Sequence, residues 1–313
     1  MNHHALIIGV GADLPNTVTD AQGVNQILTD PTRCCFAAKD VTLLTDAVAT
    51  RTNILTALDE LTALQSETVV LIYFSGHGCL AQSSMGESYY LMPYGYDISS
   101  LYKSAISGQE FTERLRNISA QHLLLLLDCC HAGGMVDADT KMPGLTLMKS
   151  PLPLETEQLF AKGSGRIIIA SSQANEVSFV AHPYSLFTRA LIECFSGQGV
   201  SKQDGYVRAL DLALYAREKV PGWSNGRQHP IADIERADNF IVAYYAAGEK
   251  TSKPLELPAI NAAEISDPNP LPRQSTVTIG KIDLRGSQGA NIGTQGPITQ
   301  TFGPINSPSK PPV

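Results

Sequence analysis

The chain has 313 residues, 30 acidic against 23 basic side chains, a formal net charge of −7 and 43% hydrophobic residues. That length supports a full buried core, and the acidic balance without any Lys/Arg cluster excludes bulk nucleic-acid binding. No apolar run approaches the roughly 20 residues that a membrane helix needs.

Residues 5–10 are too short for a signal-peptide core and lack a basic flank. The six cysteines occur as Cys34-Cys35, Cys79, Cys129-Cys130 and Cys194. Neither vicinal pair has metal-ligand spacing or the spread of a disulfide framework. A reduced, cytoplasmic protein without metal or other cofactor is expected.

Up to about residue 246 the pattern alternates strand and helix. Residues 5–10 read as a first strand, 20–28 as a helix with Asp20 near its start, and 40–44 as a second strand. Within 50–64, Ile54, Leu55, Leu58, Leu61 and Leu64 recur at helical spacing, and Thr50 or Thr52 is positioned to cap the free amides. The run 69–74 is apolar throughout, as in a strand buried on both faces, and ends on Ser75-Gly76-His77-Gly78. Residues 88–92 look like a hairpin arm and 109–118 like a helix. Residues 121–127 form a second buried strand, followed by Asp128-Cys129-Cys130-His131-Ala132-Gly133-Gly134. A looser stretch leads to a strand over 166–170, then helices over 185–195 and 208–220 with a turn at Asp204-Gly205. Strands alternating with helices predict a mostly parallel α/β sheet flanked by helices on both faces.

Composition changes past Ala247. Residues 247–275 carry repeated Pro and few aromatics, which suits an extended linker. Residues 276–313 form a low-complexity tail rich in Gly, Gln and Thr. The tail reads either as a disordered segment or as a short β-forming docking or self-assembly element that recruits a partner.

The chemistry lies in the two motifs, each placed at the C-terminal end of a strand, where α/β sheets gather catalytic groups. A thiol needs a nearby imidazole to become a nucleophile. His77 is the base, its glycine neighbours letting the backbone turn tightly, and His131 is a weaker candidate. The spacing leaves Cys129 and Cys130 both open as nucleophile, with the amides of Gly78 and Cys130 as oxyanion donors.

Both blocks, with His77 and Cys130 at 53 positions' separation, resemble those of caspases, metacaspases and bacterial caspase-like (orthocaspase) peptidases, whose His lies about 50 residues before the Cys. Residues 5–10, 18–23, 166–188, 204–206 and 228–230 are similar to further family segments, so the resemblance covers about four-fifths of the chain. The motif departs from the commoner form by Cys129 and Ala132 in place of Ser.

The resemblance implies a caspase-like fold over 1–246, with a large part near 1–140 and a small part near 165–246. It implies Cys130 as nucleophile and a protein or peptide substrate. Asp20, Ser75 and Asp128 fall where metacaspases carry the pocket that selects Arg or Lys before the scissile bond. Of the acidic residues that bind calcium in relatives, Asp137 has a counterpart position, but residues 91–110 offer only Asp97 and Glu110 where several carboxylates are needed, so calcium-independent activity is expected. Residues 134–165 lie where relatives are cut, which makes Lys141 and Lys149 the expected self-cleavage sites, with Arg273, Lys281 and Arg285 as a second set. A role as a regulated effector in stress or antiviral defence follows by the same resemblance. The alternatives are a catalytically silent scaffold that recruits partners through its tail, and a Cys hydrolase acting on non-peptide amides.

Overall fold

The apolar runs of the sequence become the middle of one large sheet. The computed structural model describes residues 2–83, 86–131, 146–149, 165–173, 176–233 and 238–267, with 82, 83, 86, 130, 131, 146–149 and 233 described by backbone alone. In chain order the first half comprises β1 (His3–Gly9), α1 (Asn16–Thr29), β2 (Val41–Thr45), α2 (Arg51–Glu60), β3 (Val69–Ser83), β4 (Gly86–Leu91), α3 (Leu101–Ser104), β5 (Ile106–Ser107) and α4 (Gly108–Asn117). The second half comprises β6 (His122–His131), β7 (Thr146–Lys149), β8 (Arg166–Ala170), β9 (Val180–Ala181), β10 (Tyr184–Ser185), α5 (Leu186–Phe195), β11 (Tyr206–Arg208), α6 (Ala209–Trp223), β12 (Ile231–Asp233) and β13 (Ile241–Tyr244).

Strands β8, β6, β3, β1 and β2 lie side by side and parallel in that order, with β12 antiparallel outside β8. Because side chains alternate along a strand, Ile7, Tyr73 and Leu126 face α1, α5 and α6 on one side. Ile8, Phe74 and Leu125 face α2 and α4 on the other. Both faces are covered, so the central strands carry apolar residues at every position, each fully buried Leu or Ile contributing roughly 1.5–3 kcal/mol. The expected α/β architecture with helices on both faces is therefore present.

Local side chains cap α2 and α5. Thr50 caps α2 by accepting from the Asn53 amide at 3.3 Å. Ser185 caps α5 by accepting from the Thr188 amide at 2.9 Å.

Three expectations change. The first helix begins at Asn16, with Pro15 at its N-cap, so Asp20 lies in its second turn, buried, instead of at its start. The His motif was expected where a strand ends, yet β3 continues through Gly76-His77-Gly78 to Ser83, pairing antiparallel with β4 and β7. The glycines answer close packing, not a turn: a Cβ at Gly76 would lie 2.8 Å from Val10 Cγ2, and one at Gly78 would lie 2.2 Å from the Tyr89 hydroxyl. Strand β6 likewise runs on through Asp128 and both cysteines.

The third change concerns residues 253–267, read as part of an extended linker. They lie against the core: Leu255, Leu257, Ile260 and Ile265 pack on the cluster that α1, α5 and α6 share with the sheet. Arg189 donates to the Pro258 carbonyl at 2.6 Å, and Val180 and Ser266 exchange two backbone hydrogen bonds at 2.9 and 3.0 Å. Scattered apolar residues among the prolines supply the burial that a free tether lacks. The tail at 276–313 lies outside the described residues.

Candidate active site

Strand pairing sets His77 and Cys130 on one rung. The β3/β6 register runs Ser75 with Asp128, Gly76 with Cys129, His77 with Cys130 and Gly78 with His131. Alternation puts Tyr73, Ser75 and His77 on the face that α1 and α5 cover, and it assigns positions 128 and 130 to that same face. His77 is buried. Its Nε2 meets Asp13 Oδ2 at 2.8 Å, while its Nδ1 is buried without a hydrogen-bond partner among the described residues. Asp13 is half exposed; burial alone would raise its carboxyl, but the His77 hydrogen bond and charge hold it below the ordinary range. Gly78 has neighbours on both sides, His131 of β6 and Leu91 of β4.

Cys129 is placed differently from its neighbour. It joins the cluster on the α2 and α4 face, where the Tyr89 hydroxyl lies 3.9 Å from its sulfur. Burial pushes its thiol up to about 12, although the Tyr89 hydrogen bond opposes this. Burial and a raised thiol pKa on the face opposite His77 suit a packing group.

Asp20 and Asp128 come together from different elements. Ser185, at the start of α5, donates its amide to Asp20 Oδ1 at 2.8 Å and its hydroxyl to Asp128 Oδ2. Asp128 also accepts from Ser178 at 2.8 Å and from Thr188 at 2.9 Å. Thr188 in turn shares a 2.6 Å hydrogen bond with the Tyr73 hydroxyl. Both carboxyls are fully buried. Burial, then the charge of Asp128, pushes Asp20 well above the carboxylate range, despite the Ser185 amide. Burial raises Asp128 too, against its hydroxyl donors. No cationic side chain acts on either carboxyl among the described residues. Ser75, also buried, shares the rung of Asp128.

The remaining candidates divide. Glu110 is held by Arg51 through two bonds of 2.7 Å, and Asp97 accepts from Ser99 and Ser100, so both carboxylates are engaged in local structure. Lys149, expected as a self-cleavage site, belongs to β7 opposite Cys79 of β3, since residues 146–149 pair antiparallel with the far half of that strand. Lys141, Asp137, Arg273, Lys281 and Arg285 lie outside the described residues. Among the described residues, no group of three or more His, Cys, Asp or Glu side chains has metal-binding geometry, and no helix is long and apolar enough to cross a membrane.

The sequence reading passed over Asp13, Ser178, Ser185 and Thr188. Asp13 had one signal, an acid directly after the glycine-bearing end of the first strand. The others read as ordinary turn and cap residues.

Comparison with known proteins adds the following. The sequence profile of a family described as "Caspase domain" matches residues 2–241. No curated protein matches this sequence. Among solved structures, protein GSU0716 from Geobacter sulfurreducens superposes with a TM-score of 0.51 at 17% identity, covering 74% of this chain and 93% of that one. That likeness is one of fold.

Proposed function

Because this chain belongs to the caspase-domain family of cysteine peptidases, we propose that it is an endopeptidase that uses a Cys130-His77 dyad to cut after Arg or Lys. One observation carries the reading: His77 and Cys130 share a rung, beside two buried carboxyls that have no cation of their own among the described residues. Cys130 gives its proton to His77, and its sulfur bonds to the scissile carbonyl carbon. The amides of Gly78 and Cys130 are the proposed donors to the developing oxyanion. The C–N bond then breaks as the amine takes the proton from His77. Water, deprotonated by the same imidazole, cleaves the thioester and restores the thiol. Asp20 and Asp128 receive the guanidinium or ammonium, with Ser75 beside them; a bidentate guanidinium is favoured over the point charge of lysine.

The test is hydrolysis of a peptide panel. Cys130→Ala and His77→Ala should each lower kcat by at least about 10³-fold, whereas Cys129→Ala should stay within a few-fold of wild type. A dead Cys129→Ala beside an active Cys130→Ala overturns the dyad. Preferred cleavage after Asp overturns the specificity. Cleavage of simple amides but no peptide in the panel supports the non-peptide reading instead.

Self-processing at Lys141 or Lys149, with Arg273, Lys281 and Arg285 as further sites, belongs to the same proposal. Intact mass should show fragments ending at these residues in wild type and not in Cys130→Ala; a single uncut mass for fully active enzyme refutes it. Action as an effector in stress or antiviral defence, with a partner held by the tail, is the role we attach to the activity. Deleting residues 276–313 should then spare peptide hydrolysis while abolishing partner capture.

A further inference from the structure

The geometry points to Asp13 as the residue that positions His77. The inference rests on the Cys130-His77 reading above and assigns it a third member. An imidazole with one proton donates from one nitrogen and accepts at the other, and the partner of the first decides which. A carboxylate can only accept. Asp13 Oδ2, 2.8 Å from Nε2, therefore fixes the proton on Nε2 and leaves Nδ1 as the lone-pair nitrogen. Nδ1 is the buried ring atom that lacks a hydrogen-bond partner among the described residues, which suits it to take the proton of Cys130 on the same rung. When His77 becomes an imidazolium, the carboxylate opposite Nε2 stabilises the new charge without moving.

The loop that carries Asp13 is firmly built. Val10 donates its amide to the Ser75 carbonyl at 3.0 Å, tying the end of β1 to the His-bearing strand. Gly11 donates to Thr17 Oγ1 at 2.8 Å, and Leu14 closes the turn on the Gly11 carbonyl at 3.0 Å. Gly11 and Ala12 both have positive φ, 70° and 57°. An alanine there costs about 1 kcal/mol or more of backbone strain. The turn bears that strain immediately before the residue whose carboxylate reaches His77.

The test compares full-length wild type with Asp13→Ala, Asp13→Asn and Asp13→Glu on one cleavable peptide. Imidazole tautomer is read by 15N NMR of His77 in a Cys130→Ala background. For a carboxylate that orients a catalytic histidine, kcat should fall roughly 10- to 100-fold in Asp13→Ala with KM within twofold. Asp13→Glu should recover part of that loss. The His77 spectrum should change from a proton on Nε2 to a mixture of tautomers when Asp13 is removed. Wild-type kcat and an unchanged His77 spectrum in Asp13→Ala overturn the inference. Should Asp13→Ala fail to fold, Asp13→Asn decides: it preserves shape and removes charge, so wild-type kcat there overturns it equally. An active His77→Ala would instead overturn the dyad itself, so the two failures are distinct.

Discussion

A carboxyl buried beside a second carboxyl keeps its proton to higher pH than the same group in the unfolded chain, and Asp20 with Asp128 is such a pair. A raised folded pKa makes a contribution to stability that is complete below the unfolded value and is lost as pH rises through the folded value. With no cation bound the pair therefore weakens the fold toward neutral pH, while the proposed cationic substrate would need it ionised. Asp20→Asn keeps an oxygen for the Ser185 amide and removes the charge. It should raise Tm by a few degrees at pH 7.5, with the gain shrinking at pH 5, and lower kcat/KM on Arg peptides about 100-fold. In wild type, KM for Arg peptides should fall as pH rises from 5 to 8. A lower Tm at pH 7.5 with unchanged KM contradicts the assignment. At this scale the two motifs single out His77 and Cys130 in the sequence and the family resemblance singles out Asp20, Ser75 and Asp128; the structure pairs Ser75 with Asp128 and His77 with Cys130. Ser185 was not legible as a bridge: a serine before an apolar run signals a helix cap, and nothing local reveals two acids 165 and 57 positions away.

Among the elements, β3 shows where pattern reading stops. Its apolar half was legible, but Gly76 and Gly78 read as a turn because glycine permits one, and only the neighbouring chains show that they accommodate close contact. Gly78→Ala would drive a methyl into the buried Tyr89 ring, whose hydroxyl also meets Cys129. The expected loss is about 1–3 kcal/mol, seen as a lower Tm. Tyr89→Phe in the same chain should return part of it by removing the oxygen that the methyl meets. An unchanged Tm for Gly78→Ala would mean that β4 yields freely there. Strands β9, β10, β11 and β12 escaped notice for a simpler reason. At two or three residues each, they are too short for any hydrophobic period to register.

For the whole molecule, Pro-rich composition hid a docked segment. Ending the chain at residue 246 would uncover the surface beneath Leu255, Leu257, Ile260 and Ile265 and remove the acceptor at Pro258 for Arg189. A 1–246 protein should melt at least several degrees lower and aggregate, whereas a 1–267 protein should melt like full length. Equal melting of both would show that the segment adds nothing. The strand order has a consequence for synthesis. After β1 and β2 make one edge, β3, β6, β8 and β12 each join on the other side, next to the parallel strand before them. A chain that emerges from the ribosome N-terminus first thus always finds its next neighbour already made. Cys130, the proposed nucleophile, joins His77, the proposed base, as soon as β6 is free of the exit tunnel, but Ser185, which holds the acidic pair, arrives more than 50 residues later. On the proposed mechanism, the nascent protein gains its dyad before the groups that would choose what it cuts.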